Sequence, residues 1–76
     1  MKAKLHKNAI KFMNKQNPIQ RQRIAVAINK LPQGDVKPLK DRRPEYRLRV
    51  GNYRIIFEYH DDFVYVLEID NRCDIY

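Results

Sequence analysis

The sequence predicts an α+β domain in which two N-terminal helices pack on one face of a small antiparallel β-sheet. Three observations carry that expectation. The first half holds two stretches with helical spacing of apolar residues, the second half alternates apolar and polar residues at the period of a strand, and a proline-rich connector lies between them. A chain of 76 residues has room for one such unit, 1–76, and buries only about 60% of the surface its unfolded form exposes.

Residues 2–5 are expected to form a short opening strand at a sheet edge. An amphipathic helix follows over 7–16, with Ala9, Ile10, Phe12 and Met13 on or near one face. The second helix has clearer signals. Asn17 is a good N-cap, Pro18 suits the first helical position, and Ile24, Ile28 and Leu31 recur at i, i+4 and i+7 until Pro32 stops the helix. From Pro32 to Pro44 the stretch "PQGDVKPLKDRRP" has three prolines and no sustained period, which predicts a basic connector anchored by Leu39.

A three-stranded meander completes the chain. Over 45–50, Tyr46, Leu48 and Val50 fall on one face and Glu45, Arg47 and Arg49 on the other. Gly51-Asn52 reads as a two-residue hairpin turn, because both residues tolerate the positive φ that primed turns require. Over 53–59, Tyr53, Ile55, Phe57 and Tyr59 share one face and Arg54, Ile56 and Glu58 the other. Asp61-Asp62 is a second turn, and the apolar run "FVYVLEI" over 63–69 predicts a central strand covered on both sides.

The net charge of +7 is unevenly placed. Residues 1–50 carry 14 Lys/Arg against 3 Asp/Glu, while 51–76 carry 2 against 6, so a polyanion is a natural partner for the first part and a solvated surface is the alternative. One cysteine excludes an internal disulfide framework and is compatible with a reducing, cytoplasmic setting. Two histidines and one cysteine make no zinc-ligand set, and nothing in the sequence calls for a cofactor. No segment approaches the roughly 20 apolar residues that span a bilayer, so no membrane partner is expected.

Alternation places Arg47 and Arg49 about 7 Å apart on one sheet face, and the tight hairpin brings Arg54 beside them. Guanidinium groups suit a phosphate floor because they are planar, permanently charged and able to grip two phosphate oxygens together. Glu45 and Glu58 share that face, either as neutralising partners or, for Glu45, as a proton acceptor. Lys37, Lys40, Arg42 and Arg43 form a basic rim leading into the sheet, read as an RNA contact or as a hydrated loop. His60 is expected to be a surface residue of the far turn and His6 structural.

The order of two helices, a basic connector, then "YRLRVGNYRIIFEY" and "VLEIDNRCDIY" resembles the RelE/ParE toxin superfamily of prokaryotic toxin–antitoxin modules, and its RelE branch in particular. The resemblance covers almost the whole chain. It implies a RelE-like fold and an endoribonuclease that cuts messenger RNA in the ribosomal A site, through attack of the 2′-hydroxyl on the adjacent phosphate. It further implies that Arg47 and Arg49 are paired basic positions, Arg54 the transition-state arginine, Arg72 a second functional arginine and Tyr76 a base-stacking residue. The implied partners are a cognate antitoxin, the ribosome with its mRNA, and operator DNA for the toxin–antitoxin complex. The same fold also serves ParE-like gyrase inhibitors. Cys73 and Asp41 stand where the family commonly has glycine, a departure that implies an attenuated toxin if position 73 needs a glycine-only conformation.

Overall fold

A computed structural model describes residues 2–31, 33–39 and 45–71. Seven elements follow in order: β1 (Lys2–Leu5), α1 (Lys7–Asn14), α2 (Pro18–Asn29), β2 (Asp35–Pro38), β3 (Glu45–Val50), β4 (Tyr53–Tyr59) and β5 (Phe63–Asn71). The strands form one sheet in the order β1-β5-β4-β3-β2, antiparallel except for β1, which runs parallel to β5. Both helices lie on one face, so the expected class stands. The sheet differs from expectation in being mixed and five-stranded.

Caps explain the helix boundaries. The Asn17 side chain accepts from the Gln20 amide at 2.8 Å, and Pro18 occupies the first turn, where a missing N–H has no cost. The α1 cap is His6, whose Nδ1 accepts from the Asn8 amide at 3.1 Å. Helix α1 ends two residues earlier than expected. Ala9 is fully buried in it while Ile10 is exposed, because one residue along a helix turns the side chain by about 100°.

The core joins Ala9, Ile24, Ile28 and Leu31 from the helical layer to Leu48, Ile55, Phe57, Val64, Val66 and Ile69 from the sheet. Phe57, 0% exposed, lies at its centre. Tyr46 stacks on Phe57 with ring centroids 5.8 Å apart, and Tyr59 meets it edge-on at 5.2 Å. Burial, and secondarily the neighbouring Tyr46, push the Tyr59 phenol above its ordinary pKa of 10.0. The fold therefore holds that proton more tightly than the unfolded chain does. The associated stability is complete below about pH 10 and is lost as pH rises through the folded-state value. Tyr59→Phe is expected to flatten this alkaline loss, measured as the difference in urea midpoint between about pH 8 and about pH 11.

Two departures from the expected strands have physical causes, and the tight turn between β3 and β4 is of the expected primed kind. The connector contains a real strand: β2 pairs antiparallel with β3, Val36 opposite Leu48, and Leu39 N–H continues the ladder to Glu45 O at 3.0 Å. Pro38 is tolerated because β2 is an edge strand. Gly34, at φ +123°, turns the chain into β2, and a Cβ there would meet Leu48 Cδ1 at 2.9 Å. In the β3–β4 turn Gly51 alone has positive φ, +55°, so Asn52 does not share it. That is the order of a type II′ turn, with glycine first.

The second departure moves side chains between faces. Strand β5 is an interior strand next to β4, and its continuous apolar run arises from a bulge rather than from cover on both sides. Phe57 pairs with Val66 but Ile56 pairs with Glu68, leaving Leu67 as the extra residue. Val64 and Val66 therefore face the core before the bulge, and Ile69 faces it after.

Candidate nucleic-acid interface

The face away from the helices is organised by the ladder register. Nearest the Gly51–Asn52 turn, one row crosses the sheet as Asp35, Arg49, Arg54 and Asp70. The next row is Lys37, Arg47, Ile56 and Glu68, and a third is Glu45, Glu58, Tyr65 and Lys4. Ile56 is 0% exposed yet stands apart from the helix-side core, so the face has an apolar centre under its charges.

Arg49 and Arg54 are directly opposite each other across β3 and β4. Two like charges so placed cost roughly 0.2–1 kcal/mol relative to a neutral pair. The Arg54 Nη2 donates to Asp70 Oδ2 at 2.9 Å, with the two side chains 25% and 39% exposed. The bulge at Leu67 sets this pair up, since without it Asp70 would fall on the core-facing side of β5. Arg49 is exposed and has no ion-pair partner among the described residues. Arg47 is only 14% exposed in its side chain; its Nη1 donates to the Asp35 carbonyl at 3.2 Å and lies 3.6 Å from Asp35 Oδ1. It ties β2 to β3 and is the least accessible of the three arginines.

The far end of the face is differently occupied. His60 Nε2 lies 3.2 Å from Glu58 Oε1, its ring stacks on Phe63 at 4.5 Å, and Lys4 Nζ sits 4.5 Å over the Phe63 ring. Glu45 is opposite Glu58. It is four residues along the strand from Arg49, about 13 Å, too far to take a proton directly from a ligand held between Arg49 and Arg54.

The structure thus brings Arg47, Arg49, Arg54, Glu45 and the exposed Lys37 to one face, with Arg49 opposite Arg54 and Lys37 opposite Arg47. Arg72, Tyr76, Lys40, Arg42 and Arg43, and with them Cys73 and Asp41, lie outside the described residues. Sequence reasoning missed Asp35 and Asp70, which interleave acidic groups with the arginines. It also missed Lys2 and Lys4, which the alternation of "KAKL" was able to place on this face.

A short basic chain with two helices on one side of its sheet and an arginine-bearing hairpin on the other is a RelE-type α+β protein. The family model for the ParE toxin of type II toxin–antitoxin systems matches residues 3–76, and the chain belongs to that family. It is a type II toxin–antitoxin toxin of the RelE/ParE superfamily. Among solved structures, a chain of the RelB–RelE antitoxin–toxin complex from Methanococcus jannaschii is 28% identical, with 96% of this chain and 94% of that one covered at a TM-score of 0.76. The RelE–RelB complex from Pyrococcus horikoshii OT3 gives 21% identity, 96% coverage of both chains and a TM-score of 0.73. The RelBE2 toxin–antitoxin complex from Mycobacterium tuberculosis gives 23%, 96% and 92%, and 0.76. No curated protein matches the chain. No helix among the described residues is long and apolar enough to cross a membrane.

Proposed function

We propose that this toxin is a ribosome-dependent messenger-RNA endoribonuclease of the RelE type, held inactive by a cognate antitoxin in a complex that binds operator DNA. The observation that carries the reading is the Arg49–Arg54 pair, two cations set opposite each other on a rigid hairpin at a cost to the sheet. Attack of an RNA 2′-hydroxyl on the neighbouring phosphate builds negative charge on the phosphorane oxygens, and expulsion of the 5′-oxygen leaves a 2′,3′-cyclic phosphate. Preorganised cations beside those oxygens stabilise that charge most when they need not move. Arg54, on the central strand, stabilises the phosphorane and Arg49 holds the same phosphate from the partner strand. Arg72 and Tyr76, by the resemblance of "NRCDIY", add a second cation and a stacking ring, and Lys37 with Lys40, Arg42 and Arg43 follows the RNA backbone.

No described histidine stands near the arginine pair, and arginine does not titrate usefully as a base. Catalysis then depends on orientation of the substrate, which the ribosome supplies by holding the codon. A small toxin of this build is a poor nuclease on free RNA. The cognate antitoxin is assigned from the toxin–antitoxin complexes to which the fold is similar.

A second reading, inhibition of DNA gyrase without RNA cleavage, is favoured by the match to the ParE toxin model. Induced expression in a bacterium separates the two. Rapid arrest of translation with cleavage inside ribosome-protected codons supports the nuclease. Induction of the SOS response with gyrase-linked DNA breaks and intact mRNA supports the other reading.

A further inference from the structure

We propose that Asp70 is an internal competitor for RNA phosphate at Arg54, so that a phosphodiester enters this site by exchange with the Asp70 carboxylate. The inference rests on reading this face as an anion site and concerns what already occupies it. Asp70 Oδ2 takes a hydrogen from Arg54 Nη2 at 2.9 Å. A guanidinium grips two oxygens either through Nε and Nη2 or through Nη1 and Nη2, so the carboxylate sits at the one nitrogen that both grips share. One Nη2 hydrogen is engaged and the other remains free, and a phosphate that approaches either edge meets the like charge of Asp70.

The internal pair is also incompletely satisfied. Arg54 Nε and Asp70 Oδ1 are both buried and find no hydrogen-bond partner among the described residues. An arginine and a carboxylate on neighbouring strands have the composition to form two parallel bonds, and here they form one. A ligand that displaces Asp70 and engages Nη1 and Nη2 together gains a second bond that Asp70 does not supply. Across the hairpin Arg49 remains exposed, without an ion-pair partner among the described residues, and offers the first landing point for the phosphate. The arrangement holds ground-state affinity for loose RNA down while keeping the Arg54 guanidinium fixed in place.

The test measures binding of a short single-stranded RNA, 2′-O-methylated so that it cannot be cut, to the full chain and its variants as a function of salt. Asp70→Asn is expected to tighten binding about 5- to 10-fold and to steepen the salt dependence by about one released counterion. Asp62→Asn, at the far turn, removes the same charge and is expected to change affinity less than twofold. With Arg54→Ala already present, Asp70→Asn is expected to have no more effect than Asp62→Asn. Thermal melts identify any misfolded protein, and Asp70→Ser repeats the test by a second route. Equal binding by the parent and Arg54→Ala overturns the anion reading of the face. Weaker binding by Arg54→Ala together with an Asp70→Asn no tighter than Asp62→Asn overturns the role of Asp70 alone.

Discussion

Arg54→Ala is expected to lower the single-turnover rate of mRNA cleavage on programmed ribosomes by about 10²–10³-fold, the typical loss when one preorganised donor to a developing oxyanion is removed. Toxin binding to the ribosome is expected to change little, because the backbone contacts assigned to Lys37 and its neighbours remain. Folding should also survive. The Arg54 side chain is 25% exposed and Asp70, 39% exposed, regains water when its partner leaves, while the repulsion between Arg54 and Arg49 disappears. The net change in stability is about 1 kcal/mol or less, as for other partly exposed ion pairs. Arg54→Lys is expected to recover only part of the rate, since an ammonium is a point charge without the two-pronged grip. Cleavage by Arg54→Ala at the parental rate means that the catalytic role lies elsewhere.

The largest structural effect is expected from Phe57→Ala. Phe57 is 0% exposed on the central strand and holds the rings of Tyr46 and Tyr59 against the core. Truncating a buried phenylalanine costs about 3–5 kcal/mol through lost transfer energy and an unfilled cavity. A domain of this length has only about 4–11 kcal/mol in total, at roughly 0.05–0.15 kcal/mol per residue. The variant is therefore expected to lose roughly half of its stability, with its urea midpoint lowered in proportion. A change of less than 1 kcal/mol would place the centre of the core somewhere other than Phe57.

These two residues show how unevenly the molecule can be read from its sequence. Phe57 was legible because β4 alternates cleanly, Tyr53, Ile55, Phe57 and Tyr59 inward against Arg54 and Glu58 outward. The α2 boundaries were legible because Asn17 and Pro18 each have a single preferred place at a helix start. The His6 cap carried no such signal, since histidine lies outside the usual capping set. Strand β2 was hidden by proline, which reads as a loop marker, although an edge strand accommodates it.

The candidate site divides along the same line. The Arg49–Arg54 pairing follows from a two-residue turn and strict alternation, both visible in "RVGNYR". The Arg54–Asp70 pairing does not, because it depends on a bulge at Leu67 inside a run apolar at almost every position. Where both faces carry apolar residues, the pattern has no phase to lose, and a one-residue slip leaves no mark in the sequence. The acidic half of the site was missed for that reason. Its presence changes the picture from a bare cationic floor to a set of arginines already engaged, Arg47 with Asp35 and Arg54 with Asp70, beside an exposed arginine, Arg49.

RNA transesterification by the arginine pair on the ribosome is the proposed activity. Its most direct test is end-group analysis of mRNA after incubation of the purified toxin with ribosomes stalled at a defined codon. The expected result is a cut within the A-site codon, a 2′,3′-cyclic phosphate on the upstream fragment and a 5′-hydroxyl on the downstream one, formed about 10²–10³-fold more slowly with Arg54→Ala. Intact mRNA in that reaction, with translation unimpaired, would contradict it.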